Sequence, residues 1–254
     1  MKKVSDWLLG LLLPFIIIVA WYLAKKYLEI SDSILPSMNG VRMTLIELLK
    51  EGTLQSDLKV SFARVLRGYL CSVIIGGLLG VSMGMSSKMH TLFHLTITCI
   101  RQIPIIAWIP LIIMWFGIED LSKTVVIALG TTFIIAINLE NGISGTPKGL
   151  IEVASIYKLS KWKTFVKVYL PHALPSLFVG LRLGLSASWM AVVAAELMAA
   201  NSGIGFRISY SRSLLRADIV VVCMIVIALI GIILDRAISL LFLKITPWEY
   251  RNKE

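Results

Sequence analysis

Charge is scarce in this chain. Asp, Glu, Lys and Arg together make up 16% of 254 residues, and only 15 of them are acids. A soluble domain carries about 25% charged residues, so a water-exposed globular surface is excluded. Cysteine is limited to Cys71, Cys99 and Cys223, each inside an apolar run. They lack metal-ligand spacing and read as small core residues. His90 and His94, at i and i+4, form half of a zinc pair, but no acid or thiol is placed to complete it. No metal site is expected. There is no Gly-x-x-x-x-Gly-Lys-Ser/Thr loop, so the chain cannot cradle nucleotide phosphates. No Ser/His/Asp, Cys/His or HExxH arrangement and no paired-carboxylate motif is present. Neither catalysis nor a cofactor is expected. No Gly/Ser-rich linker separates a soluble unit.

What remains is apolar. The chain is 57% hydrophobic, with a mean hydropathy of +0.84, the composition of a membrane protein. Its net charge of +10 fits basic loops facing anionic headgroups rather than nucleic acid. About six stretches have the length that crosses a hydrocarbon core: Trp7–Ala24, Gly68–Met85, Leu92–Phe116, Ser122–Leu139, Leu174–Ala200 and Ile219–Leu243. The first follows a basic start but exceeds a signal-peptide core and lacks a cleavage site, so it reads as a retained span. Six spans put both termini on one side. Lys2, Lys3, Lys88, Lys244, Arg251 and Lys253 fall on that side, which is therefore expected to be cytoplasmic. Met43–Leu49 and Leu58–Leu66 read as short interfacial helices on the other side.

Spans two and five carry small residues at helical spacing: Gly76, Gly80 and Gly84, then Gly180, Gly184 and Ser188, with Ala187, Ala191, Ala195 and Ala199 on a second stripe. Such faces build tight bundles and dimer seams. Span three is interrupted by Pro104 and Pro110, which are expected to free the carbonyls of Ile100 and Ile106. Arg101 lies about 20 Å of helix beyond Lys88, where a charge is costly and suggests function. It suits a substrate anion, or an internal tie to a helix-end carbonyl or Glu140. Gln102, Pro104 and Trp108 share this stretch. Glu196, late in span five, is placed to pair with Arg207 or Arg212, to line an outer gate, or to sit at the outer rim. With Arg101 and Glu140 it would also make a coupling network for an ion-driven secondary carrier.

The one long polar interval runs from Thr146 to Leu174. Thr146 is a candidate cap for a helix beginning at Pro147, Ser160 caps a second, and Pro171 marks its end. Trp162, Phe165, Val166 and Tyr169 form one apolar stripe beside Lys161, Lys163 and Lys167. Two short helices with this character either lie on a membrane surface or dock a protein partner.

The residues Glu152-Val153-Ala154, then Lys158, then Val168-Tyr169-Leu170-Pro171 resemble the EAA loop of binding-protein-dependent ABC importer permeases. Val153 replaces an Ala of that pattern, Lys158 a Gly and Val168 an Ile. A Gly at 158 would permit φ > 0, which Lys adopts only at a cost. The segment Arg101–Pro110, Trp115-Phe116-Gly117-Ile118 and Gly180-Leu181-Arg182 with Val193–Leu197 resemble the nitrate/sulfonate/taurine-type subfamily. The resemblance implies an all-α fold of the type I, MetI-like kind. Residues 1–60 would be a first span and outer segment, 61–243 a five-span core with coupling loop 146–173, and 244–254 a cytoplasmic tail. It implies a bacterial plasma-membrane protein that forms a homodimer, with two copies of a separate ATPase subunit docked on Glu152, Val153, Ala154, Lys158, Ser160, Leu170 and Pro171. An extracytoplasmic solute-binding protein would deliver an alkanesulfonate, taurine or nitrate, or alternatively a thiamine-precursor pyrimidine.

Overall fold

A computed structural model describes residues 2–245, and the expected tail beyond them lies outside the described residues. Among the described residues there are helices and no strands. In order they are α1 (Lys2–Tyr27), α2 (Met38–Lys50), α3 (Thr53–Met85), α4 (Ser87–Gln102), α5 (Ile105–Phe116), α6 (Asp120–Ser144), α7 (Lys148–Ile156), α8 (Lys161–Thr164), a π-turn (Phe165–Tyr169), α9 (Leu170–Ala199), α10 (Ile204–Ser213) and α11 (Ala217–Ile245). The chain is an all-α membrane protein. Four stretches are long and apolar enough to cross a bilayer by themselves, and α4 with α5 makes a fifth, bent by 99°. The 26-residue α1 is roughly 39 Å long at 1.5 Å per residue, enough for one more crossing.

The bundle is organised on α6, which α3 and α9 clasp from two sides. A Cβ at Gly76 would lie 2.6 Å from the carbonyl oxygen of Thr132, and one at Gly80 2.6 Å from that of Ala136. On the other flank a Cβ at Gly180 would meet Asn138 at 2.8 Å and one at Gly184 would meet Thr131 at 3.0 Å. Of the two uses expected of the small-residue faces, tight bundle packing is the one these glycines serve within the chain. Backbones approach closely there because no side chain intervenes. Thr131 Oγ1 and Ser188 Oγ hydrogen-bond at 2.9 Å, and the Tyr69 hydroxyl donates to Leu181 O at 2.9 Å.

Leu58–Leu66 is not a separate interfacial helix. Helix α3 runs unbroken from Thr53, so a domain boundary at residue 60 would fall inside it. The turn from α2 into α3 is made at Gly52, whose φ of 75° suits a residue without Cβ. The polar residues Asp57, Ser61 and Arg64 are all buried, which an interfacial helix would not require. They continue the stripe of Gly68, Ser72, Gly76 and Gly80 at i+4 and i+7 spacing, so the same helix face turns inward along its whole length. Cys71 and Cys99 prove exposed on the outside of the bundle, and only Cys223 is a core residue.

Pro104 does break span three. Helix α4 stops at Gln102, and Ile103 (ψ 118°) and Pro104 (ψ 135°) are extended before α5 starts. The Ile100 carbonyl, expected to be free, accepts from Ile103 N at 3.2 Å. Pro110 stays inside α5 without ending it.

Candidate functional site

Two regions, at opposite ends of α6, hold the polar chemistry. The first surrounds Asp120. Arg64 Nη1 donates to Glu196 Oε1 at 2.7 Å and Arg64 Nε to Asp120 Oδ1 at 2.8 Å. The same guanidinium holds Ser202, through O at 2.7 Å and Oγ at 3.1 Å. Ser61 Oγ lies 2.9 Å from both Glu196 oxygens and accepts from Ile204 N at 3.0 Å. Gly205 N donates to Glu196 Oε2 at 3.0 Å. Asp57 accepts from Gly203 N at 3.2 Å and from Arg207 Nε at 2.7 Å. Gly203 has φ 107°, and a Cβ there would sit 2.4 Å from the Glu196 carboxylate, so this position needs glycine.

Glu196 is 1% exposed. Its partner is Arg64, not Arg207 or Arg212, and it lies inside the bundle rather than at a rim. Charged groups this enclosed persist only when every lone pair and proton is matched. Here Glu196 accepts from Arg64, Ser61 and Gly205. Sequence reasoning missed Asp57, Ser61, Arg64 and Asp120. The signal was their phase, which continues the glycine stripe of α3.

The second region is the loop from 146 to 173. Thr146 does not cap α7. It is buried, and its hydroxyl donates back to Ile143 O at 2.8 Å, while Pro147 (φ −56°, ψ 131°) occupies the cap position. Ser160 does cap α8, accepting from Lys163 N at 3.3 Å. Helix α7 ends in paired reverse bonds, Leu159 N to Ala154 O at 3.1 Å and Lys158 N to Ser155 O at 2.9 Å. This geometry requires a left-handed residue at position 158. Lys158 adopts it with φ 50°, so the turn forms although the residue there is not the glycine that would take this conformation without cost.

Pro171 does not end the second helix. Leu170 N donates five residues back, to Phe165 O, opening a π-turn just before the proline. The extra residue separates the ring from the carbonyl it would otherwise strike. The chain then continues into α9 with Pro171 in its first turn. The expected apolar stripe divides. Phe165 and Tyr169 pack on the small core of Leu139, Ile143 and Ala173, while Trp162 stays exposed, its ring stacked 5.8 Å from Phe165. On α7 only Ala154 is buried. Leu150, Val153, Ile156 and Tyr157 are exposed, the last two by 77% and 76%. Glu152, Lys158 and Ser160 are exposed among them, whereas Leu170 is half-buried.

Arg101, Gln102 and Pro104 sit at the α4–α5 bend, all exposed, with Trp108 half-buried one turn into α5. Glu140 is not the partner of Arg101, because its Oε1 is bound by Nδ1 of His90, whose ring lies 4.7 Å from that of His94.

Residues 72–246 match the family profile described as the binding-protein-dependent transport system inner membrane component. The chain is 39% identical to a putative aliphatic sulfonates transport permease of Escherichia coli, over 94% of this chain and 92% of that protein. It is 34% identical to the Bacillus subtilis protein of the same description, over 98% and 90%. The backbone resembles a chain of the inward-facing MetNI methionine ABC transporter, with a TM-score of 0.62, 19% identity and coverage of 75% and 96%. A matched profile across the α6-centred core, relatives aligned over nearly the full length, and a fold shared with a transporter subunit agree. The chain belongs to the inner-membrane permease components of binding-protein-dependent ABC importers, of the sulfonate/taurine/nitrate type.

Proposed function

We propose that two identical copies of this chain form the pathway of an importer for a small sulfonate, with α7 as the seat of a separate ATPase subunit. The observation that carries this is α7 itself. A nine-residue helix with Leu150, Val153 and Ile156 exposed, Tyr157 exposed at its cap, and Lys148, Lys158, Lys161 and Lys163 around them leaves this apolar face uncovered among the described residues. An apolar helix face of this kind is completed by a groove on another protein. The sequence lacks a phosphate-cradling loop, so the subunit that hydrolyses ATP is a different one, present in two copies. Glu152, Val153, Ala154, Lys158, Ser160, Leu170 and Pro171 form or position the docking segment.

The distribution of Lys and Arg orients the loop end and both termini toward the cytoplasm. An extracytoplasmic binding protein then delivers solute at the Arg64 end, where Glu196 acts as a structural tie under the delivery surface. The bent α4–α5, with Arg101, Gln102, Pro104 and Trp108, lines the route. Approach of the two ATPase subunits would draw the α7 segments together and rock the bundles between two orientations. Sulfonate is the cargo named for the relatives described above, and a compact anion accords with the cation Arg101 near mid-span.

The test is Glu152→Arg in the assembled complex. It should abolish ATP-dependent uptake and co-purification of the ATPase, and unimpaired co-purification would refute docking here. Purified alone in liposomes, the chain should accumulate no solute under a proton or sodium gradient. Accumulation would make it an ion-coupled carrier instead.

A further inference from the structure

The break in span three leaves a pocket of about 280 Å³ between the α4–α5 bend and α6, lined by Ile100, Arg101, Pro104, Trp108, Gly130 and Phe133 among others. Its depth follows from α6. Gly130 and Phe133 lie near the middle of that 25-residue helix, so Arg101 stands about halfway across the membrane. Other arginines along the spans are matched: buried Arg64 has Glu196 and Asp120, and half-exposed Arg182 has Asp235 at 2.6 Å. Arg101 has no carboxylate or carbonyl partner among the described residues. No acid lines its pocket, and the remaining walls are aliphatic or aromatic. An unmatched guanidinium at this depth is costly and calls for a counter-ion. Its planar fork suits the oxygens of a sulfonate or similar oxyanion. Trp108, Phe133 and Ile100 offer apolar surface to a short carbon chain beside it.

We propose that Arg101 is an anion-binding residue within the permease itself, holding the oxyanion head of a short organic anion while Trp108 and Phe133 contact its apolar part. This rests on the importer reading above and deepens it. The permease would contribute selection for negative charge after the binding protein has released its solute. A cation is repelled from the pocket, and a neutral solute of the same size gains nothing from it.

The experiment uses the whole complex, permease with ATPase and binding protein, in proteoliposomes, with radiolabelled ethanesulfonate as the probe. Arg101→Gln should lower uptake by about ten-fold or more, the scale of one charge-assisted hydrogen bond, while the ATPase still co-purifies. Arg101→Cys, made with Cys71→Ser and Cys99→Ser so that no exposed native thiol reacts, allows the charge to be restored after assembly. The 2-aminoethyl methanethiosulfonate reagent should recover uptake, and the 2-sulfonatoethyl reagent, which places an anion in the pocket, should not. Wild-type uptake in Arg101→Gln overturns the proposal, as does equal recovery with both reagents. Loss of ATPase co-purification in Arg101→Gln would make the residue a structural tie and overturn it too. A wild-type complex that takes up no ethanesulfonate in an ATP-dependent way is a different result. It removes the importer reading for this solute class, and this inference with it.

Discussion

The two ends of α6 treat their polar and apolar groups in opposite ways. Around Asp120, residues from α3, α6, α9 and α10 form the ion pairs Arg64–Glu196, Arg64–Asp120 and Arg207–Asp57 and match each Glu196 and Asp57 contact with a donor. Around α7, apolar side chains stand in the open and only Ala154 is buried. One end is closed by side chains of its own helices, and the other leaves an apolar face uncovered among the described residues. Burial of matched charges fixes geometry, because breaking any one partner strands another in a low-dielectric interior. Exposure of an apolar helix face fixes nothing until a second surface arrives.

That contrast can be broken experimentally, most severely at the closed end. Glu196→Ala should destabilise the purified chain by about 3–5 kcal/mol, because it removes the buried carboxylate that Arg64, Ser61 and Gly205 share and leaves Arg64 only Asp120 and Ser202. Arg64→Met with Glu196→Leu should cost less than Glu196→Ala alone. Thermal unfolding in detergent checks both, and a tolerated single variant would mean the closed end is not self-contained. Next, Gly80→Leu should cost about 1–3 kcal/mol by overpacking α3 against α6, read in the same way. At the open end Lys158→Gly should gain about 1 kcal/mol by relieving a left-handed non-glycine residue, measured as a raised unfolding midpoint. Smallest of all, Tyr157→Ser should change stability by less than about 0.5 kcal/mol while weakening ATPase co-purification. A large stability loss there would show that the face is packed within the chain after all.

The spans were legible because a bilayer imposes length and apolarity on each segment separately. The Pro104 break was legible because it follows from local sterics, whereas the left-handed turn at Lys158 was not, since local sterics argue against it in any residue but glycine. The partner of Glu196 was not legible either, since Arg64 lies 132 residues away and two nearer arginines, Arg207 and Arg212, competed for it. Local rules also failed where two of them conflicted. Thr146 is a good capping residue, but its hydroxyl is taken by the preceding helix. Pro171 is a good stop signal, but one inserted residue lets the helix pass it. The start of α3 was misread because Asp57, Ser61 and Arg64 resemble a solvated face until their phase is set against Gly68 and Gly80.

The π-turn has a mechanical consequence. Since Pro171 does not interrupt the chain, Lys161 to Ala199 is one rod of roughly 60 Å, with Ser160 at its foot and Glu196 near its tip. A grip on the foot therefore works as a lever. A tilt of a few degrees applied beside Trp162 and carried along this rod reaches the far side of the bilayer as a sideways displacement of several ångströms.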